Sequence, residues 1–282
     1  MQANDIVVSS WAELMNALYD IPRTVFHRYR SDFVYRGVAD HSWGLETSLQ
    51  RLCGDYVNVE GPMLRSFRKY AESGSIPADT LLVRLAVAQH HRLPTRVLDW
   101  TVSPKVALHF ATSEEDGVVW CVDVRQVRDL LPMPLQSILE DEHAFLFSVE
   151  MLPEVKTLKD LDSFGIKHGG FAMFFEPPSL DARIVNQGAI MSVMPGARLC
   201  LNDFLESYPQ IYRRIVVPKE LKWEVRDKLD QDNVTERMLF PGLDGLSNWL
   251  KRYYGPGPGK AAPCNKPGTG KTSAPEPLIQ DG

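Results

Sequence analysis

The chain has no apolar run approaching the roughly 20 residues that carry a helix across a bilayer. Its N-terminus, with Asp5 close to the start, also lacks the basic stretch and apolar run of a secretory leader. A cytoplasmic location and no membrane partner are therefore expected. A basic excess is missing as well: 31 Lys and Arg stand against 36 Asp and Glu, a formal charge of -5. That balance argues against a general nucleic-acid surface and leaves room only for a local basic pocket. Cysteine is scarce, and Cys53, Cys121, Cys200 and Cys264 fall at no metal-ligand spacing, so no metal site is predicted and the thiols read as free in a reducing compartment. Internal repeats are absent. So is a nucleotide loop: Gly268-Thr269-Gly270-Lys271-Thr272 looks like the end of one, but Asn265 stands where the motif needs glycine, with no strand before it and no helix-length segment after it.

What is present is enough for a substantial core, since 44% of the 282 residues are apolar. From Gly255 the sequence turns to Gly-Pro-Gly-Pro-Gly and then to a Pro, Lys, Ala and Thr mixture, so 255–282 is expected to be a disordered tail. Residues 1–30 read as a helical lead-in and 31–254 as one domain. Ser10 and Glu13 form a capping-box pattern ahead of Leu14, Ala17 and Leu18. Phe33-Val34-Tyr35 reads as a short strand that delivers Arg36 to its end. Leu81 to His91 is apolar almost all round, which predicts a buried helix limited by Pro94. Ser103-Pro104 predicts an N-cap and first helical position. Val118 to Val124 and Arg213 to Val217 predict strands, and Leu221, Val225 and Leu229 mark the apolar face of a late helix. Strands and helices are interleaved without the regular alternation of a doubly wound sheet. The expected class is α+β, a single domain with a mixed, mainly antiparallel sheet flanked by helices.

Three segments put polar residues where the pattern predicts burial. In Tyr35-Arg36-Gly37 the guanidinium must either pair with a carboxylate, Glu46 or Asp99, or receive an anionic ligand, and Gly37 would let a ligand or loop approach the backbone. In Gln89 to Ser103 two rings, two guanidiniums, a carboxylate and hydroxyls crowd between a buried helix and the start of the next, a place suited to phosphate or carboxylate. Arg96 could equally pair with Asp99. His90 and His91, being adjacent on a helix, are poor joint metal ligands, and one is expected buried while the other faces a cleft. In Arg183 to Ser192 a strand-like run is interrupted by Asn186-Gln187-Gly188, read as a bulge that aims a side chain or simply stabilises a turn.

These segments, together with Trp43-Gly44-Leu45, Ser48 to Arg51, Pro94 to Thr101 and Arg237 to Leu246, resemble the FRG-domain family of bacteria and phages over about Ser31 to Tyr254. Tyr35 stands in place of the family's phenylalanine, and His91-Arg92 in place of its usual Tyr-Gly. Arg36-Gly37 and Thr101-Val102-Ser103 with Ala107 and Phe110 are also similar in order to mono-ADP-ribosyltransferases of the arginine-serine-glutamate type, though no glutamate matches the catalytic one. That likeness implies an ADP-ribosyltransferase-like fold and a nucleotide or NAD-like anionic ligand, with NAD as substrate rather than as a required cofactor. It assigns Tyr35, Arg36, Gly37, Arg96, Trp100, Thr101 and Ser103 to the ligand and Gln187, Asp99 and His90 to the chemistry, ADP-ribosyl transfer or NAD hydrolysis. Two other readings stand beside it: a non-catalytic sensor module in phage–host conflict, and a metal-independent nuclease-type toxin using His90 or His91 with Arg96.

Overall fold

In the computed structural model the described residues are 4–20, 27–72, 74–112, 115–152 and 154–257. Most of the tail expected to be disordered, including Gly268 to Thr272, lies outside them. The strands predicted around Phe33, Val118 and Arg213 form and join one eight-stranded sheet. Its strands are β1 (Asp5–Val7), β2 (Phe33–Val38), β3 (Val97–Thr101), β4 (Gly117–Asp123), β5 (Phe147–Ser148), β6 (Met173–Glu176), β7 (Ala189–Val193) and β8 (Tyr212–Val217), in the order β1-β8-β4-β2-β3-β7-β6-β5. The centre is antiparallel, and the parallel pairs β1–β8 and β5–β6 close the two edges. The class is α+β with a mixed sheet, as the interleaved pattern predicts.

Strand alternation sorts the core. On one face Val97, Met191, Val193, Met173 and Phe175 pack against the Leu81–His90 helix, while Tyr35, Val119, Cys121, Ile215 and Val217 pack against the Pro104–Phe110 helix. The other face carries Val34, Val38, Leu98, Trp100, Trp120 and Phe174. The Leu81–His90 helix is apolar all round because seven of its ten residues are buried, capped at its start by the Thr80 hydroxyl. Ser103 caps the next helix and Pro104 opens it, as its sequence predicts.

Two glycines fix how the Pro104–Phe110 helix lies on the sheet. A Cβ on Gly37 would fall 1.7 Å from the Ala107 carbonyl oxygen, and one on Gly117 would fall 1.8 Å from that of Ala111. The helix backbone thus presses directly onto β2 and β4. The close approach expected at Gly37 is real, but the backbone of this helix makes it.

Candidate functional site

β2 and β3 share a single register pair, Tyr35↔Thr101, whereas β2 and β4 stay paired over the whole of β2, from Phe33 to Val38. Beyond that pair the central strands part. The helices above them part too, because one packs over β3 and β7 and the other over β2 and β4. A cavity of about 250 Å³ lies there. It is bordered by Tyr35, Arg36 and Gly37 of β2, Asp99, Trp100 and Thr101 of β3, Gln89 and His90 from one helix, Phe110 from the other, and Arg183 and Gln187 from the Ala182–Gln187 helix.

Arg36 stands in the middle of β2, not at its end as the short apolar run suggests, but it marks the end of the β2–β3 ladder. Alternation starts its side chain on the face of Val34 and Val38. The guanidinium then bridges the parted strands, with Nη1 donating to the Asp99 carbonyl oxygen at 2.5 Å. Its Nε is buried without an acceptor. Neither Glu46 nor Asp99 makes the carboxylate pair weighed for it. Arg96 and Arg214, by contrast, are buried beside Glu60 and Asp5 respectively. Burial pushes the Arg36 guanidinium below its ordinary value and the nearby Arg51 charge adds to this, with Asp99 opposing. The residue keeps its proton regardless. A half-buried cation with no carboxylate hydrogen-bonded to it favours an anion beside it.

Asp99 is exposed, and its carboxylate is positioned by a chain of oriented groups. Val97 N–H donates to the Thr95 hydroxyl at 3.2 Å, that hydroxyl donates to Gln89 Oε1 at 2.8 Å, and Gln89 Nε2 donates to Asp99 Oδ2 at 2.8 Å. Because a carboxylate only accepts, the Gln89 amino group must face Asp99, which leaves the amide oxygen to accept from Thr95. Gln89 stands in the crowded segment noted in the sequence, but its role there was not readable: the helix and β3 must fold before residues ten positions apart can meet.

His90 borders the cavity and pairs through Nε2 with Asp181 Oδ2 at 3.0 Å, while His91 is exposed with its ring edge against His90. His90 thus takes the cleft-facing role and is hydrogen-bonded but only half-buried, and neither ring is buried outright. Gln187 borders the cavity as well, but its Nε2 donates to the Leu239 carbonyl at 2.9 Å while Asn186 Nδ2 donates to that of Met238 at 2.8 Å. These amides tie the cavity wall to the C-terminal helices. The predicted strand-like run is a helix, Ala182–Gln187, capped by Asp181 and ended by Gly188 at φ 53°, and only then the strand β7.

Four other expectations need correction. Arg96 is not in the cavity. It is 4% exposed, with Nε on Glu60 at 2.7 Å and Nη1 on Asp162 at 2.6 Å and on the Pro195 carbonyl at 2.7 Å, so it pairs neither with Asp99 nor with a histidine. Trp100 borders the cavity, but its indole belongs to the opposite face, where Nε1 donates to the Ser192 hydroxyl and the ring packs on Phe174. The Thr101 hydroxyl is spent on the Gln187 carbonyl and the Ser103 amide. Ser103 Oγ is the helix cap on Val106 N–H and lies outside the cavity lining.

Among the described residues no cluster of histidine, cysteine, aspartate and glutamate could hold a metal, and no helix is long and apolar enough to cross a membrane. Neither the curated proteins nor the solved structures contain a match to the chain. Residues 31–118, however, match the FRG domain. That stretch supplies Arg36, Gln89, His90, Asp99 and Phe110, while Arg183 and Gln187 come from beyond it. Over residues 31–118 the chain is thus similar to the FRG-domain family.

Proposed function

We propose that the cavity between the parted strands binds the base-and-sugar end of a nucleotide or NAD-like anion, whose phosphates reach Arg36 at the strand gap. The observation that carries this reading is the half-buried Arg36, whose buried Nε has no acceptor and whose guanidinium has no carboxylate hydrogen-bonded to it. Size supports one moiety rather than a whole dinucleotide: about 250 Å³ lies just under the roughly 300–1,000 Å³ of common ligand sites. Phe110, Val106, Ile184 and Met191 give the walls an apolar surface for a ring, and Gln89, Asp99 and Gln187 supply a few convergent polar groups.

Among the described residues Asp99 is the one carboxylate bordering the cavity. In the ADP-ribosyl transfer or NAD hydrolysis reading it orients the attacking nucleophile, a role that Gln187, unable to accept a proton and tied to Leu239, does not fill. Incubation with NAD tests the chemistry. Nicotinamide release that disappears in Asp99→Asn supports transfer or hydrolysis. Binding without release favours the sensor reading. A nuclease built on His90 and Arg96 has no support, because Arg96 is committed elsewhere.

A further inference from the structure

A groove of about 830 Å³ lies on another part of the molecule, between the Glu60–Tyr70 and Leu158–His168 helices. Its base is the buried Arg96, whose guanidinium takes Glu60 from the first helix and Asp162 from the second and so ties the two walls together. Above it the lining is chiefly apolar: Leu64, Leu81, Leu158 and Leu199, with Ile166 at 87% exposure. An isoleucine so exposed beside a leucine-lined groove is apolar surface that water covers at a cost.

The charges around the groove are unequal. Glu60 and Asp162 exceed Arg96 by one negative charge, while Arg68 and Arg84 share Asp79 and exceed it by one positive charge. These clusters offset each other, and Arg198 has Asp55. Two cations then remain, Arg65 on one wall and Lys159 on the other, both exposed and neither with an ion-pair partner among the described residues. An apolar trough with an uncompensated cation on each side matches a ligand that has an apolar body and an anionic end. The volume falls within the range of small-molecule sites.

We infer that this groove binds a small amphiphilic anion, an alkyl or aryl phosphate or carboxylate, with its apolar part along the leucines and its charged end between Arg65 and Lys159. The site is separate from the one holding Arg36, and the inference does not depend on a nucleotide occupying that one. Isothermal titration of the full chain with decyl phosphate, decyl glucoside and inorganic phosphate tests it. Decyl phosphate is expected to bind the wild type and Arg36→Ala alike, with both the glucoside and inorganic phosphate markedly weaker. Arg65→Glu with Lys159→Glu should weaken decyl phosphate at least about tenfold, the loss of two charge-assisted contacts, while leaving the ligand-free melting temperature unchanged. Equal affinity for the neutral glucoside, or decyl phosphate binding that the double variant does not change, would overturn the inference. So would binding that Arg36→Ala abolishes.

Discussion

Arg36 shows what one residue can and cannot reveal before the chain folds. An arginine inside an apolar strand had to find a carboxylate or an anion, and the sequence left both open. Folding removes the first option, because its partner is the Asp99 backbone carbonyl and not a side chain. Truncating it therefore orphans no buried carboxylate. Arg36→Ala should lower stability by only about 1 kcal/mol, the net worth of an ordinary hydrogen bond, as read by urea denaturation. Arg96→Ala should cost several times more, on the order of 3–5 kcal/mol, since it strands Glu60 in the interior. The sequence could not separate the two arginines. Glu60 and Asp162 lie 36 and 66 positions from Arg96, and no local spacing announces either. Gln89 makes a third test. Gln89→Leu removes the group that orients Asp99, so any NAD turnover should fall with little change in nucleotide affinity, whereas a purely structural glutamine would lower both together.

Among the elements, the glycines carry information that hydrophobic pattern does not. Gly37→Ala and Gly117→Ala each place a methyl group inside the backbone of the Pro104–Phe110 helix or its end. Each is expected to destabilise by about 1–3 kcal/mol or more as the helix is pushed off the sheet, measurable as a lower denaturation midpoint with unchanged slope. Three central strands, β2, β4 and β8, were legible because β-branched runs such as Val118 to Val124 have few alternatives. The Ala182–Gln187 helix was not. Ile184-Val185 before Ile190-Met191 imitates a continuous strand, and the short helix is set by its ends: the Asp181 cap and Gly188 in the left-handed region. Those end signals outweigh propensity over six residues. Cavity walls built from this helix, and their bonds to Met238 and Leu239, were therefore invisible in the sequence.

At the scale of the whole molecule, buried charge couples the cavity to the C-terminal helices. Arg226 donates to His109 Nδ1 at 2.9 Å and meets Glu236 at 3.2 Å, while Arg252 joins Glu236 to Asp230. Burial, reinforced by the Arg226 charge, pushes His109 down to about 3, so the folded protein holds it neutral. In the unfolded chain the ring takes a proton near the ordinary value of 6.5, so protons favour unfolding between these limits. Stability from His109 is thus present above that value and is lost as pH falls through the window. Burial would raise the Glu236 carboxyl, but hydrogen bonds from Arg252 and the Arg226 charge overcome it and hold it at about 2, which adds a further loss at lower pH. Melting temperatures across this range should fall with acid, and more gently in His109→Gln. Phe110, next to His109, packs edge-on against Phe240, so this network also braces a cavity wall.

Ligand binding at that cavity is best measured by titrating the folded chain with NAD, ADP-ribose and simple nucleotides while following its melting temperature, in the wild type and in Arg36→Ala. The wild type should be stabilised by at least one of these, by about 2.7 kcal/mol once ligand reaches a hundred times its dissociation constant, and Arg36→Ala should lose that response while staying folded. Equal stabilisation of the two proteins, or none of the wild type by any of these ligands, would contradict an anion site built on Arg36.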